Sequence, residues 1–79
     1  MRTKPKPETR SVVYVGSPSS SCNICGAPIV DNFIDGRTIN GWWAEMCAVC
    51  HLRYGVGLGT GQGQRFQRQD DGTWLKVEG

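Results

Sequence analysis

Apolar residues in this chain come in short bursts separated by polar or glycine-rich stretches. Val12-Val13-Tyr14-Val15 fits a short strand over Ser11–Val15, at the edge of a later sheet. Pro28-Ile29-Val30 reads as an extended segment. Phe33-Ile34 and Thr38-Ile39 flank Asp35-Gly36, a dipeptide favoured in hairpin turns because it accepts positive φ. After Asn40-Gly41, Trp42-Trp43-Ala44-Glu45-Met46 returns as a strand. Successive strand residues face opposite sides, so one tryptophan is expected to cover the core while the other stays partly exposed. Ala48–Tyr54 fits a helix of about two turns, stopped by Gly55.

Glycine then recurs at positions 55, 57, 59, 61 and 63. As a strand, such a run would have one bare face open to close approach by another backbone. Beyond it, Arg65–Asp70 and Thr73–Glu78 flank Asp71-Gly72, a second hairpin signal. A two-residue turn there pairs Phe66 with Val77 and Arg68 with Leu75, which places Phe66, Leu75 and Val77 on one face, the natural cover for the rest of the fold. Apart from two paired cysteine motifs, the chain shows no internal repeat. The elements together predict one small α+β domain.

Size changes the picture. The chain has 79 residues. Its first 21 form a basic, Pro- and Ser-rich leader, expected to be flexible apart from the short strand, and the folded domain is expected to be 22–79. Below roughly 70–80 residues a hydrophobic core alone rarely supplies more than ~3–5 kcal/mol, so a staple is required. Four cysteines provide one: Cys22-Asn23-Ile24-Cys25 and Cys47-Ala48-Val49-Cys50, separated by 21 residues. Two residues between paired cysteines let both sulfurs turn toward one ion, and two such knuckles complete a tetrahedral set. Cys22, Cys25, Cys47 and Cys50 are therefore the expected ligands of one structural Zn²⁺ per chain. Gly26 suits the turn that follows the first knuckle.

Competing uses of the cysteines fare less well. Disulfides need an oxidising compartment, and the leader carries no apolar segment of the kind that directs export. The chain reads as cytoplasmic, with no stretch of transmembrane length. Cys47–His51 also spells the c-type haem attachment pattern, but haem would need export and a helical shell, and would leave Cys22 and Cys25 idle. No βαβ pattern surrounds either pair, so a thioredoxin-like role fails. An iron site of the rubredoxin kind uses the same four sulfurs and stays open at this point.

Catalysis finds little support. His51 is the single histidine, and four thiolates already fill a tetrahedral ion, so a surface or supporting role on the short helix is expected for it. Glu45 is the one acid close to a knuckle. A metal-braced nuclease would need a second histidine. The glycine run lacks both the G-x-G-x-x-G register and a following Gly-Lys-Ser/Thr, which removes nucleotide binding.

Charge adds a modest signal. The formal net charge is +2, but Met1–Arg10 alone holds Arg2, Lys4, Lys6 and Arg10 against Glu8. The remainder sums to −1, and four thiolates around Zn²⁺ add a further −2. Arg53, Arg65 and Arg68 flank the glycine run, with no acid between Glu45 and Asp70. A contact surface made of Arg53, Gly59, Gly61, Arg65, Arg68 and an exposed Trp43 is expected, with nucleic acid slightly preferred over a protein partner. No membrane or small-molecule substrate is implied.

The motifs Cys-x-x-Cys-Gly-x-Pro-Ile, Trp-Ala-x-Met-Cys-x-x-Cys-His and the following Gly-x-Gly-Leu-Gly-Thr-Gly-x-Gly-Gln resemble small zinc-finger proteins of tailed phages and prophages. The resemblance covers roughly residues 22–77. Most such proteins have no assigned function, so it implies zinc and a host-cell cytoplasmic setting rather than an activity. The first knuckle is also similar to that of treble-clef fingers, in which a knuckle and hairpin precede a second knuckle opening a helix. The short helix leaves a plain zinc ribbon as the alternative. The expected role is a non-enzymatic accessory module, the alternative being an inhibitor or modulator of a host protein.

Overall fold

The computed structural model describes residues 12–79. Its centre is a four-stranded antiparallel sheet of β1 (Asn32–Arg37), β2 (Trp43–Met46), β3 (Gly63–Arg68) and β4 (Trp74–Glu78), in the order β2-β1-β3-β4. One helix, α1 (Ala48–Tyr54), follows β2. The small α+β fold is as the chain pattern predicts. Among the described residues no helix is long and apolar enough to cross a membrane.

The strand β1 lies under two packing layers. Phe33 and Ile34, adjacent and pointing to opposite faces, are both 0% exposed. On one face Ile34 packs with Ala44, Met46, Cys22 and Cys50, joined by the half-buried Ile24, Cys47 and Leu58. On the other, Phe33 stacks on Phe66 with ring centroids 5.3 Å apart, and Tyr14 and Trp74 meet Phe33 edge-on at 5.1 and 5.2 Å. One face carries the sulfurs and the other carries the rings.

Val12–Ser21 runs between the two outer edges of this sheet. Val13 forms an antiparallel bridge to Leu75, with Tyr14 N–H donating to Trp74 O and Lys76 N–H to Val12 O. The start of the segment thus touches the outer edge of β4 through one isolated bridge at Val13. Ser11 and the basic leader before it lie outside the described residues. The far end of the segment reaches Glu45 on β2, the opposite edge.

Both hairpins differ from their predicted form. Asp35-Gly36 makes no turn; it sits inside β1, pairing with Glu45 and Ala44. Gly36 is there because β1 and β3 approach closely: a Cβ on it would lie 3.1 Å from Gln62 O and 3.3 Å from Gly63 Cα. The reversal falls at Ile39-Asn40-Gly41, where Thr38 N–H donates to Trp42 O and Gly41 N–H to Thr38 O. The second hairpin closes with three residues, 70–72, bounded by the Gln69 N–H to Thr73 O bond. Phe66 therefore opposes Lys76 and Arg68 opposes Trp74, a one-residue slip that turns Trp74 toward the rings. Leu75 and Val77 take the other face, and an irregularity between Arg65 and Phe66 restores the Arg65–Glu78 pairing. Neither tryptophan of the Trp42-Trp43 pair covers the core, contrary to expectation: they are 48% and 51% exposed. Ala44 and Met46 fill that role.

The glycine run is a loop as far as Gly61, returning the chain from α1 to β3, which Gly63 opens. Gly55 ends the helix with extended backbone, its N–H donating to His51 O. A side chain there would collide with His51, its Cβ lying 2.4 Å from the ring carbon Cδ2. The loop is tied to the end of β1 by Val56 N–H to Arg37 O, Arg37 N–H to Gln62 O and Arg37 Nε to Gly61 O.

Candidate metal centre

Each knuckle is shaped by local hydrogen bonds. In the first, Cys22 N–H donates to Ala27 O and Gly26 N–H to Cys22 O, closing a tight loop, while Ile24 N–H points at Cys22 Sγ at 3.4 Å. In the second, Cys47 caps α1: its sulfur accepts from Cys50 N–H at 3.5 Å, and its carbonyl accepts from His51 N–H. The helix begins where the second knuckle ends because the two share these bonds.

The four sulfurs lie within 4.8 Å of one another. Cys25 and Cys47, one from each knuckle, are 3.7 Å apart. A disulfide needs about 2.05 Å. Two sulfurs each about 2.3 Å from one tetrahedral ion stand about 3.8 Å apart, which the observed spacing matches. All four cysteines are free thiols. The cluster is a metal-binding arrangement, and the chain order of knuckle, hairpin and helix-opening knuckle builds it.

The electrostatics agree. Burial pushes the Cys22 thiol up, but donors from the backbone of Cys25, Cys47 and Ile24 and from the Cys50 side chain outweigh it and bring it down to about 6. Burial, and then the three neighbouring sulfurs, push Cys50 up to about 12. Thiolates gathered this closely repel one another, and a cation at their centre would offset that repulsion. Cys22 and Cys50 are buried, Cys47 is half-buried and Cys25 is exposed, so the cluster sits at the surface end of its layer.

His51 does not join the sulfurs. Its Nε2 bonds to Gly57 O at 2.9 Å, pinning the glycine loop to the helix. Glu45 is on the wrong face for chemistry at the metal: its carboxylate accepts from Tyr14 O–H and Ser19 N–H over the ring layer. Its partner across the strands is Asp35, whose carboxyl is raised by burial and then by the Glu45 charge. The Tyr14 hydroxyl is held above its ordinary value by the bond to Glu45 first and by burial second. Sequence reasoning noticed Glu45 only for its nearness to a knuckle. No local signal marks its link to Tyr14, 31 residues away.

The expected partner surface is spread over the molecule. Arg65 lies on the sulfur face opposite Ile34 and is paired with Glu78 at 2.6 Å. Arg68 lies on the ring face opposite Trp74, and Trp43 opposes Arg37 at the far end of the sheet. Arg53 is exposed on α1, and Gly59 and Gly61 occupy the loop, Gly61 at its exposed tip. These residues do not form one patch. Compared with family models, curated proteins and solved structures, the chain matches none.

Proposed function

We propose that this chain is a non-enzymatic, zinc-stabilised binding module whose partner is a protein. Zn²⁺ bound by Cys22, Cys25, Cys47 and Cys50 would be coordinatively closed, with no position left for water or substrate. The order of knuckle, hairpin and helix favours a treble-clef-like finger over a plain ribbon. The resemblance to phage zinc-finger proteins supports an accessory role in a host cell.

The observation that carries the choice of partner is the outer side of α1. Val49 and Leu52, one turn apart, are 59% and 86% exposed, with Arg53 beside them. Apolar side chains presented in this way on a short rigid helix suit a protein groove. The charge balance points the same way. Residues 12–79 hold five basic and six acidic side chains, and a zinc–thiolate centre adds −2. A body of that sign does not draw phosphates, and Arg65 is already paired. Nucleic-acid affinity would then rest on the leader.

The test pairs two measurements on zinc-loaded protein. Captured host protein should be lost with Leu52→Asp, while titration with duplex DNA at two salt concentrations should show no steep salt dependence. Salt-dependent DNA binding that disappears with Arg53→Ala and Arg68→Ala, and is indifferent to Leu52→Asp, would overturn the protein reading in favour of nucleic acid.

A further inference from the structure

We propose that metal binding and the docking of Val12–Ser21 over the ring face are coupled, with Glu45 as the joint between them. Glu45 is bonded in two directions. Its backbone faces outward from β2 to the first knuckle: its carbonyl accepts from Asn23 N–H at 2.9 Å, and its N–H donates to Asn23 Oδ1 at 2.8 Å. Asn23 lies between the ligands Cys22 and Cys25, so the knuckle's conformation decides whether both bonds form. The Glu45 side chain points to the opposite face, where its two oxygens take Ser19 N–H and Tyr14 O–H.

Those two bonds latch a strap. The strap starts on the outer edge of β4, through Val12 and Tyr14, and its Tyr14 ring meets Phe33 and Phe66 edge-on, both at 5.1 Å. Its latch lies on the edge of β2 at Ser19, three residues before the first knuckle begins at Cys22. With the knuckle fixed by a metal, Asn23 holds Glu45 in place and the strap has its latch. Without it, the pair of bonds to Asn23 loosens and the carboxylate loses its fixed position. The strap then lifts, baring Phe33, Phe66 and Trp74 together with the outer edges of β2 and β4. Unpaired strand edges beside exposed rings are a surface that recruits other chains. Release of the strap would thus be an early step of metal loss, ahead of the collapse that complete removal of the ion brings. By linkage, the latch must in turn strengthen metal binding by the same factor.

This inference rests on the zinc reading of the cysteine cluster, and its test separates the two. Zinc-loaded protein is compared by amide hydrogen exchange for wild type and Asn23→Ala, which keeps every ligand and the whole strap. The Ser19 and Tyr14 amides should exchange at least ~10-fold faster in the variant, while the Gln67 and Leu75 amides inside the β3–β4 pair keep their protection. In the reverse direction Tyr14→Phe, which removes one hydroxyl on the face away from the sulfurs, should speed exchange at Asn23. It should also lower zinc affinity, by competition with a chromophoric chelator, by ~5-fold or more. Unchanged protection at Ser19 and Tyr14 in Asn23→Ala would overturn the coupling. So would a uniform rise at all four amides, which reports general destabilisation, or an unchanged zinc affinity in Tyr14→Phe. Failure of the wild type to bind zinc would overturn the metal reading itself, and this inference with it.

Discussion

The two faces of the sheet solve the same problem by different means. The sulfur face gathers small and medium side chains, Ile34, Ala44 and Met46, around Cys22 and Cys50, and its closure depends on four ligands meeting at one point. The ring face has no such centre. It closes by mutual contact of Tyr14, Phe33, Phe66 and Trp74, with centroids 5.1–5.3 Å apart, and by the Tyr14–Glu45 latch. A metal supplies a large stabilisation from few residues, of order 10–16 kcal/mol in finger peptides. Ring packing supplies less per contact but does not require a cofactor, each aromatic pair contributing about 0.5–1.5 kcal/mol beyond its buried area. The strand β1 is common to both, since Phe33 and Ile34 are neighbours on it, so neither face can lose order without disturbing the other.

That dependence is most directly broken by removing the metal. Chelation of the zinc-loaded protein, or Cys50→Ser, should collapse amide dispersion in the NMR spectrum and the near-ultraviolet dichroism of the rings together. The loss should exceed the ~3–5 kcal/mol that a core of this size supplies. Rings that keep their native dichroism without metal would show that the ring face folds by itself.

A smaller effect is expected from the ring side. Phe33→Ala should destabilise the zinc-loaded protein by about 3–5 kcal/mol, because a fully buried ring is replaced by a cavity. Zinc stoichiometry at saturating metal should remain one per chain. Loss of zinc from Phe33→Ala at saturation would mean that the ligands cannot assemble unless the ring face is packed.

The smallest effect is expected from the glycine loop, of which Leu58 packs against the sulfur-face core while Gly59 and Gly61 have no atom within 4 Å of a Cβ. Gly59 and Gly61 have φ of +126° and +78°, where a side chain is strained even so. Gly59→Ala and Gly61→Ala should each cost about 1–3 kcal/mol in denaturant unfolding, from backbone strain alone. Zinc stoichiometry should be intact in both. A cost below the precision of the measurement would show that the loop relaxes into another conformation, and so contributes little to holding α1 against β1.

Short-range spacing is what the chain alone makes legible. Two residues between paired cysteines bring both sulfurs to one side, and Cys47 followed by Ala48–Tyr54 and Gly55 produces a capped helix whose first turn carries the second pair. These are local geometries, complete within a few residues. Tertiary structure decided everything that depends on pairing between distant segments. Gly36 looks like a turn residue from its neighbour Asp35, yet it is a strand residue because Gly63 must pass close to it. The β3–β4 register slipped by one residue because the loop closes with three residues instead of two, and that slip turned Trp74 rather than Leu75 toward the rings. Glu45 became the joint between the metal knuckle and the strap through partners 22 and 31 residues away. Alternation along a strand tells which residues share a face, but not which face meets which neighbour. That is settled only when the sheet order is fixed and both layers close on β1 at once.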